Sequence, residues 1–241
     1  MQEHNELHRN NATNKYIDAL LYPERNPFVE DIQKFEQLMM MYSCAIKEIQ
    51  TKLEVLNADF STRYKRNPIE FIKTRIKRPA SIAAKLQSKN CQVSVTNIRN
   101  NLNDVAGIRV VCSFIDDIYA VAEKLIGQDD ITLISAKDYI SHPKPNGYRS
   151  LHLVLEVPVF FADKTRDMRV EVQIRTIAMD FWASLDHQLR YKHEIEDPET
   201  ISNELKHCAD IISETDQEML KIKNKIYGVD IHPQKKFEDN L

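Results

Sequence analysis

Glycine is nearly missing from this chain: of 241 residues, only Gly107, Gly127, Gly147 and Gly228 are glycine. The G-x-G-x-x-G dinucleotide fingerprint and the G-x-x-x-x-G-K-[ST] phosphate loop each need two glycines within six positions, so both are excluded. Any phosphate bound here must be held by side chains. The four cysteines, Cys44, Cys91, Cys112 and Cys208, form no C-x-x-C pair, which argues against a disulfide framework or a zinc ribbon and fits a reducing compartment. No apolar run reaches the roughly 18 residues of a membrane span, and the opening MQEHNELHRNNATNKY has no apolar signal-peptide core. A soluble, cytoplasmic protein that does not meet a membrane is expected. An excess of one charge is absent too: 33 Lys and Arg stand against 36 Asp and Glu, a net charge of -3. The chain as a whole is not built to coat DNA or an anionic surface, so any basic site is local.

What is present can bury a core, since 42% of positions are hydrophobic. Residues 1 to 26 are polar and Asn-rich and hold at most a short helix. From Phe28, apolar residues at Ile32, Phe35, Leu38, Met39, Tyr42, Ile46, Ile49 and Leu53 recur at three or four, predicting an amphipathic helix over 28–57. A second helix is predicted over 198–228, its apolar face marked by Ile201, Leu205, Cys208, Ile211, Ile212 and Met219 and its end by Gly228. Between them the texture changes. Period-2 runs at Ile69–Lys77, Val105–Ser113, Ile131–Asp138, Leu151–Val157 and Met168–Arg175 read as five strands. Helical patterns fill Ser81–Lys89, Asn97–Leu102, Asp116–Ile126 and Ile177–Tyr191. The expectation is one α+β domain: a catalytic core over 63–193 with a mixed five-stranded sheet, bracketed by the two long helices.

Four places could carry chemistry. RYKRNPIEFIKTRIKR (63–78) sets seven cations against Glu70, and Lys73, Arg75 and Lys77 share one strand face. That row suits a string of phosphates, although a lysine-rich edge strand has the same signature. In Met168–Arg175 the apolar residues alternate with Arg169, Glu171, Gln173 and Arg175, giving a wholly polar face that either meets solvent or builds a metal and phosphate site. Arg109 lies inside an apolar strand and needs a partner or an open cleft; Asp104, just before the strand, is one candidate partner. The loop HPKPNGYRSLH (142–152) breaks structure with Pro143, Pro145 and Gly147, then offers Tyr148, Arg149, Ser150 and His152. His142, His187 and His193 show no metal-ligand spacing and read as structural.

Taken in order, RIKRPASIAAK, NDVAGIRVVCSF, KDYISHPKPNGYRSLH and VEVQIRTIAMDFWASLDHQLRYKH resemble the synthetase domain of the RelA/SpoT family, especially its small stand-alone alarmone synthetases. The loop and the AMDFWASLDH helix resemble the RelP type more than the RelQ type, which usually has Asn where this chain has Asp180. The resemblance implies a nucleotidyltransferase-like sheet that moves the β,γ-pyrophosphate of ATP to the 3′-hydroxyl of GDP or GTP. By the same resemblance, Arg75 and Arg109 sandwich the adenine, Lys77, Ser81 and Lys85 hold ATP phosphates, and Tyr148 stacks on guanine. Lys144 and His152 steady the acceptor, Gln173 orients a site group, and Asp104 and Glu171 bind Mg²⁺, with Glu171 also acting as base. The family's hydrolases carry a His-Asp domain; this chain has no His-Asp dipeptide, so synthesis alone is expected. A homotetramer built through the long helices is implied as well.

Two rivals remain at this point. A nucleotidyltransferase adding AMP to an acceptor normally has a Gly-Ser dipeptide near an Asp-x-Asp pair, and no Gly-Ser occurs here. A single-stranded RNA-binding regulator could use the 63–78 stripe with Tyr64 and Phe71 as stacking partners.

Overall fold

Neither proline nor glycine occurs between Phe28 and Tyr64, so nothing intrinsic stops the first helix, and α1 runs over Pro27–Tyr64, past the expected end at 57. It stops where Lys65 takes a φ of 57° and Pro68 follows. Leu38, Tyr42, Ala45, Ile49 and Leu53 lie on its buried stripe. Each fully buried Leu or Ile contributes roughly 1.5–3 kcal/mol, enough to fix which face turns inward. The computed structural model describes residues 27–191 and 198–228. The short helix expected within residues 1–26, His193 and the side chain of Tyr64 lie outside the described residues.

The five expected strands form: β1 (Ile69–Ile76), β2 (Ala106–Cys112), β3 (Thr132–Asp138), β4 (Leu151–Phe160) and β5 (Thr165–Thr176). They make one sheet in the order β1-β2-β5-β4-β3, parallel only between β2 and β5. Between β1 and β2 come α2 (Pro79–Ser88) and α3 (Val95–Asn101), and α4 (Ile115–Ile126) follows β2. Pro79 opens α2, where its missing N–H costs nothing, and the Ser94 hydroxyl caps α3 by accepting from the Asn97 N–H at 3.2 Å. After β5 the chain enters α5 (Ile177–Tyr191), and α6 (Pro198–Tyr227) closes the fold with Gly228 at a φ of 83° as its stop.

The pleat sorts side chains by parity. Ile108, Val110, Val172, Ile174 and Leu153 are buried on one face, beneath α1 and α4. On the other face the register lays down two polar rows across the strands. One row runs Lys73, Arg109, Gln173, His152, Lys137; the next runs Arg75, Gly107, Glu171, Val154, Ser135. A shift of one residue in any strand would send its members into the core.

Helix α6 departs from the expected face. Ile211 and Met219, read as part of an inward stripe, are each 49% exposed, whereas Ala209, Asp216 and Lys223 are buried. Polar anchors explain the rotation. Thr176 Oγ1 donates to Asp216 Oδ2 at 2.5 Å, and the Lys223 ammonium pairs with Asp116 at the start of α4. A hydrogen bond to the end of β5 and an ion pair with α4 fix the helix's rotation, and an apolar strip is left facing outward.

Candidate active site

The β1, β2 and β5 members of the two rows floor an open cavity of about 540 Å³, lined by Lys73, Thr74, Arg75, Gly107, Ile108, Arg109, Glu171 and Gln173. Gly107 keeps the floor low: a Cβ there would touch Cγ and Nε of Arg75 at 3.4 Å. Arg75 and Arg109, expected to sandwich a base, both line this space from neighbouring strands. Glu171 and Gln173 line its β5 side.

One border of the site is a cationic clamp. Asp104, immediately before β2, accepts from Lys77 Nζ at 2.7 Å and from Lys85 Nζ at 2.6 Å, both on Oδ2. Its other oxygen, Oδ1, is buried with no hydrogen-bond partner. Burial pushes the Asp104 carboxyl up, but hydrogen bonds and charge from Lys77 and Lys85 more than offset this and hold it below the usual carboxylate range. Ser81 stands on the exposed first turn of α2, between the two lysines in sequence. The sequence's candidate pair of Asp104 with Arg109 does not form. Five residues of strand span about 16 Å, and Arg109 instead meets Asp180 of α5, Nη1 to Oδ1, at 3.1 Å.

The opposite border is a closed hydrogen-bonded ring. Tyr148 Oη lies 2.8 Å from His152 Nε2, and His152 Nδ1 faces Glu171 Oε1 at 3.4 Å. Gln173 Nε2 donates to Glu171 Oε2 at 2.9 Å, and Arg175 Nη2 donates to both Gln173 Oε1 at 2.9 Å and Tyr148 Oη at 2.5 Å. One tautomer satisfies every member: a neutral His152 with its proton on Nδ1, toward Glu171, accepting the Tyr148 hydroxyl on Nε2. Burial lowers the His152 pKa below its ordinary 6.5 even though Glu171 raises it. For Glu171, burial raises the carboxyl, and the contacts from His152 and Gln173 outweigh it, leaving the group below its usual range. Asp104's charge opposes that ionisation, so the two carboxylates are electrostatic neighbours. Lys144 Nζ sits over the rings of both Tyr139 and Tyr148, at 4.6 and 4.8 Å from their centroids.

Three contributors were given no role of their own by the sequence reading. Arg175 and Asp180 are both buried and lie beneath the site, and Tyr139 packs edge-on against Tyr148 and His152. Arg175 is named with Glu171 and Gln173 on β5's polar face, but alternation alone does not say that it is buried beneath Tyr148. The basic stretch 63–78 is also less uniform than it reads. Arg63 pairs with Asp59, Arg66 with the buried Asp117, and Lys77 with Asp104, while Lys73 and Arg75 are exposed on the cavity side. Phe71, exposed on the same strand, carries Lys73 Nζ over its ring at 4.7 Å.

Residues 74–196 match the family described as "Region found in RelA / SpoT proteins". The chain is 40% identical to the GTP pyrophosphokinase YwaC of Bacillus subtilis over 195 residues, covering 81% of this chain and 93% of that one. It is 34% identical to the GTP pyrophosphokinase YjbM of the same organism over 196 residues, covering 81% and 92%. Among solved structures, the small alarmone synthetase 2 of B. subtilis superimposes with a TM-score of 0.72 at 40% identity, over 79% of this chain and 98% of that one. The small alarmone synthetase 1 of B. subtilis bound to its product pppGpp superimposes with a TM-score of 0.73 at 34% identity, over 80% and 98%. The higher identity lies on the synthetase 2 side, the RelP type to which the loop and the Asp180 helix point. The chain belongs to the RelA/SpoT family, as one of its small alarmone synthetases.

Proposed function

We propose that this GTP pyrophosphokinase transfers the β,γ-pyrophosphate of ATP to the ribose 3′-hydroxyl of GDP or GTP and does not hydrolyse the product. The observation that supports it best is the layout of the two borders around one cavity. A cationic clamp with a half-free carboxylate stands on one side, an aromatic and histidine wall on the other, and Glu171 lies between them. In the reaction, the 3′-oxygen bonds to the β-phosphorus, the bond from that phosphorus to the oxygen bridging to the α-phosphate breaks, and AMP leaves. Glu171, ionised at neutral pH and lining the cavity, accepts the hydroxyl proton. Lys77 and Lys85 hold the transferring phosphates, with Ser81 at the head of α2 beside them, while Arg75 and Arg109 grip the adenine. Tyr148 stacks on the guanine, and Lys144, His152 and Gln173 fix the acceptor and its base.

The donor set fits a magnesium ion. Among the described residues no cluster of three or more metal-ligating side chains occurs, but Mg²⁺ binds well through one or two carboxylates plus waters and substrate phosphates. The unpartnered Asp104 Oδ1 and neighbouring Glu171 would supply that pair. A bound Mg²⁺ supplies charge neutralisation for the phosphates. The small alarmone synthetase 1 of B. subtilis has been solved with pppGpp and with AMPCPP, which supports nucleotides as the ligands of this chain too.

Incubation of the protein with γ-labelled ATP, GDP and Mg²⁺ tests the reading: label should move to the guanine nucleotide with stoichiometric AMP. Release of pyrophosphate with AMP attached to an acceptor would establish the nucleotidyltransferase rival, and RNA binding without turnover the regulator. Product incubated alone with the enzyme should stay intact.

The protein acts as a homotetramer. Phe181, Leu185 and Leu189 on α5 and Ile211, Met219 and Ile222 on α6 are each 40% or more exposed, an apolar strip that a monomer would leave in water. Light scattering at micromolar concentration should give four times the 28.1 kDa chain mass, and a clean monomer would refute this.

A further inference from the structure

Asp180 holds two arginines, the buried Arg175 and the half-buried Arg109, with a single oxygen. Its Oδ1 faces Arg109 Nη1 at 3.1 Å and Arg175 Nη1 at 3.3 Å, and Asp180 and Arg175 are only 6% and 3% exposed. The two guanidiniums face opposite tasks. Arg109 lines the cavity assigned to ATP, whereas Arg175 donates to the Tyr148 hydroxyl and lies over the Tyr148 ring at 5.0 Å from its centroid. Neither Nε finds a hydrogen-bond partner, so the grip on each arginine comes from its terminal nitrogens.

In this chain the carboxylate is the shared anion of both guanidiniums. Two cations share one anion: burial disfavours the charge of Arg109 most, the charge of Arg175 adds to that, and Asp180 opposes both. Without the negative charge the guanidiniums repel, and the open direction for Arg109 is into the cavity. The carboxylate is itself held firmly. Asp180 sits in the first turn of α5, where the helix dipole favours an acid, and the Thr176 hydroxyl fixes that turn by accepting from the Met179 N–H at 3.1 Å.

Resting on the pyrophosphate-transfer reading, we infer that Asp180 is a positioning residue for both substrates at once: through Arg109 it sets the adenine site, and through Arg175 and Tyr148 it sets the guanine site. It touches neither nucleotide.

Asp180→Asn keeps the volume and one acceptor oxygen but removes the charge. The KM for ATP and the KM for GDP should rise together, each about ten- to a hundred-fold, as expected when a substrate-positioning group is displaced. Tyr148→Phe, which cuts only the Arg175 and His152 contacts to the hydroxyl, should raise the GDP value alone. Asp180→Glu restores the charge at a shifted position and should recover part of both losses. If Asp180→Asn does not fold, Asp180→Glu carries the test, and its two KM values should still move in parallel against wild type. A rise in only one KM, or no change in either for a folded variant, overturns the inference. Wild-type protein without transferase activity would instead overturn the pyrophosphate-transfer reading, because every comparison here is a ratio to wild type.

Discussion

Gly147 lies so close to Ala209 of α6 that a Cβ on the glycine would stand 2.6 Å from the Ala209 Cβ, and its φ of +86° suits no other residue well. Beside it, Arg149 donates to the carbonyls of Gly147 and Ala209 at 3.1 and 3.0 Å and to Asp210 Oδ1 at 3.1 Å. Tyr148 is therefore held between two residues bolted to the C-terminal helix. Gly147→Ala should cost about 1–3 kcal/mol through backbone strain and displacement of α6. Thermal denaturation should show a lower Tm, and the KM for the guanine acceptor should rise. An unchanged Tm would show that the loop does not need α6.

Tyr148→Ala removes the stacking surface assigned to guanine. Loss of one aromatic stack costs about 1–3 kcal/mol, so the acceptor's KM should rise by roughly ten- to a hundred-fold and ATP's far less. Equal effects on both substrates in steady-state kinetics would refute the guanine assignment.

The two carboxylates should separate by metal rescue. Asp104→Asn leaves Glu171 to take the proton, and activity should return in part as Mg²⁺ is raised. Glu171→Gln removes ligand and base together, a loss of about 10²–10⁴ in rate that added metal does not restore. Activity titrated against Mg²⁺ checks this, and full rescue of Glu171→Gln would leave Glu171 as a ligand only.

His152 should leave a mark on the pH dependence of stability. Its folded pKa lies below the ordinary 6.5, so the unfolded chain binds the extra proton first as pH falls. The contribution is complete above pH 6.5 and is lost as pH drops through the depressed folded value. Urea denaturation of wild type should weaken over that window, and His152→Gln should flatten this part of the profile. A slope unchanged by the substitution would exclude a neutral, buried His152.

The five strands, the helices between them and the polar face of β5 were legible because they rest on local rules: period 2, period 3.6 and punctuation by proline and glycine. Where a boundary was missed, as at the end of α1, the chain carried no breaker before Pro68 and the helix ran on to Tyr64. The cavity residues were readable as a list because four separated motifs resembled one family, although no local rule says that Lys73, Arg109, Gln173 and His152 form a single row.

What the sequence determined by itself was composition-level exclusion, element type and the identity of the polar side chains. Only tertiary structure decided partners. It gave Arg109 to Asp180 instead of Asp104, gave Asp104 to two lysines, and buried Arg175 beneath Tyr148. It also turned α6 so that Asp216 and Lys223 face inward and Ile211 and Met219 face out. The reason is physical: alternation and periodicity act within one element, whereas a buried charge takes whichever opposite charge the sheet register and helix docking bring within about 3 Å, and that neighbour can lie anywhere in the chain.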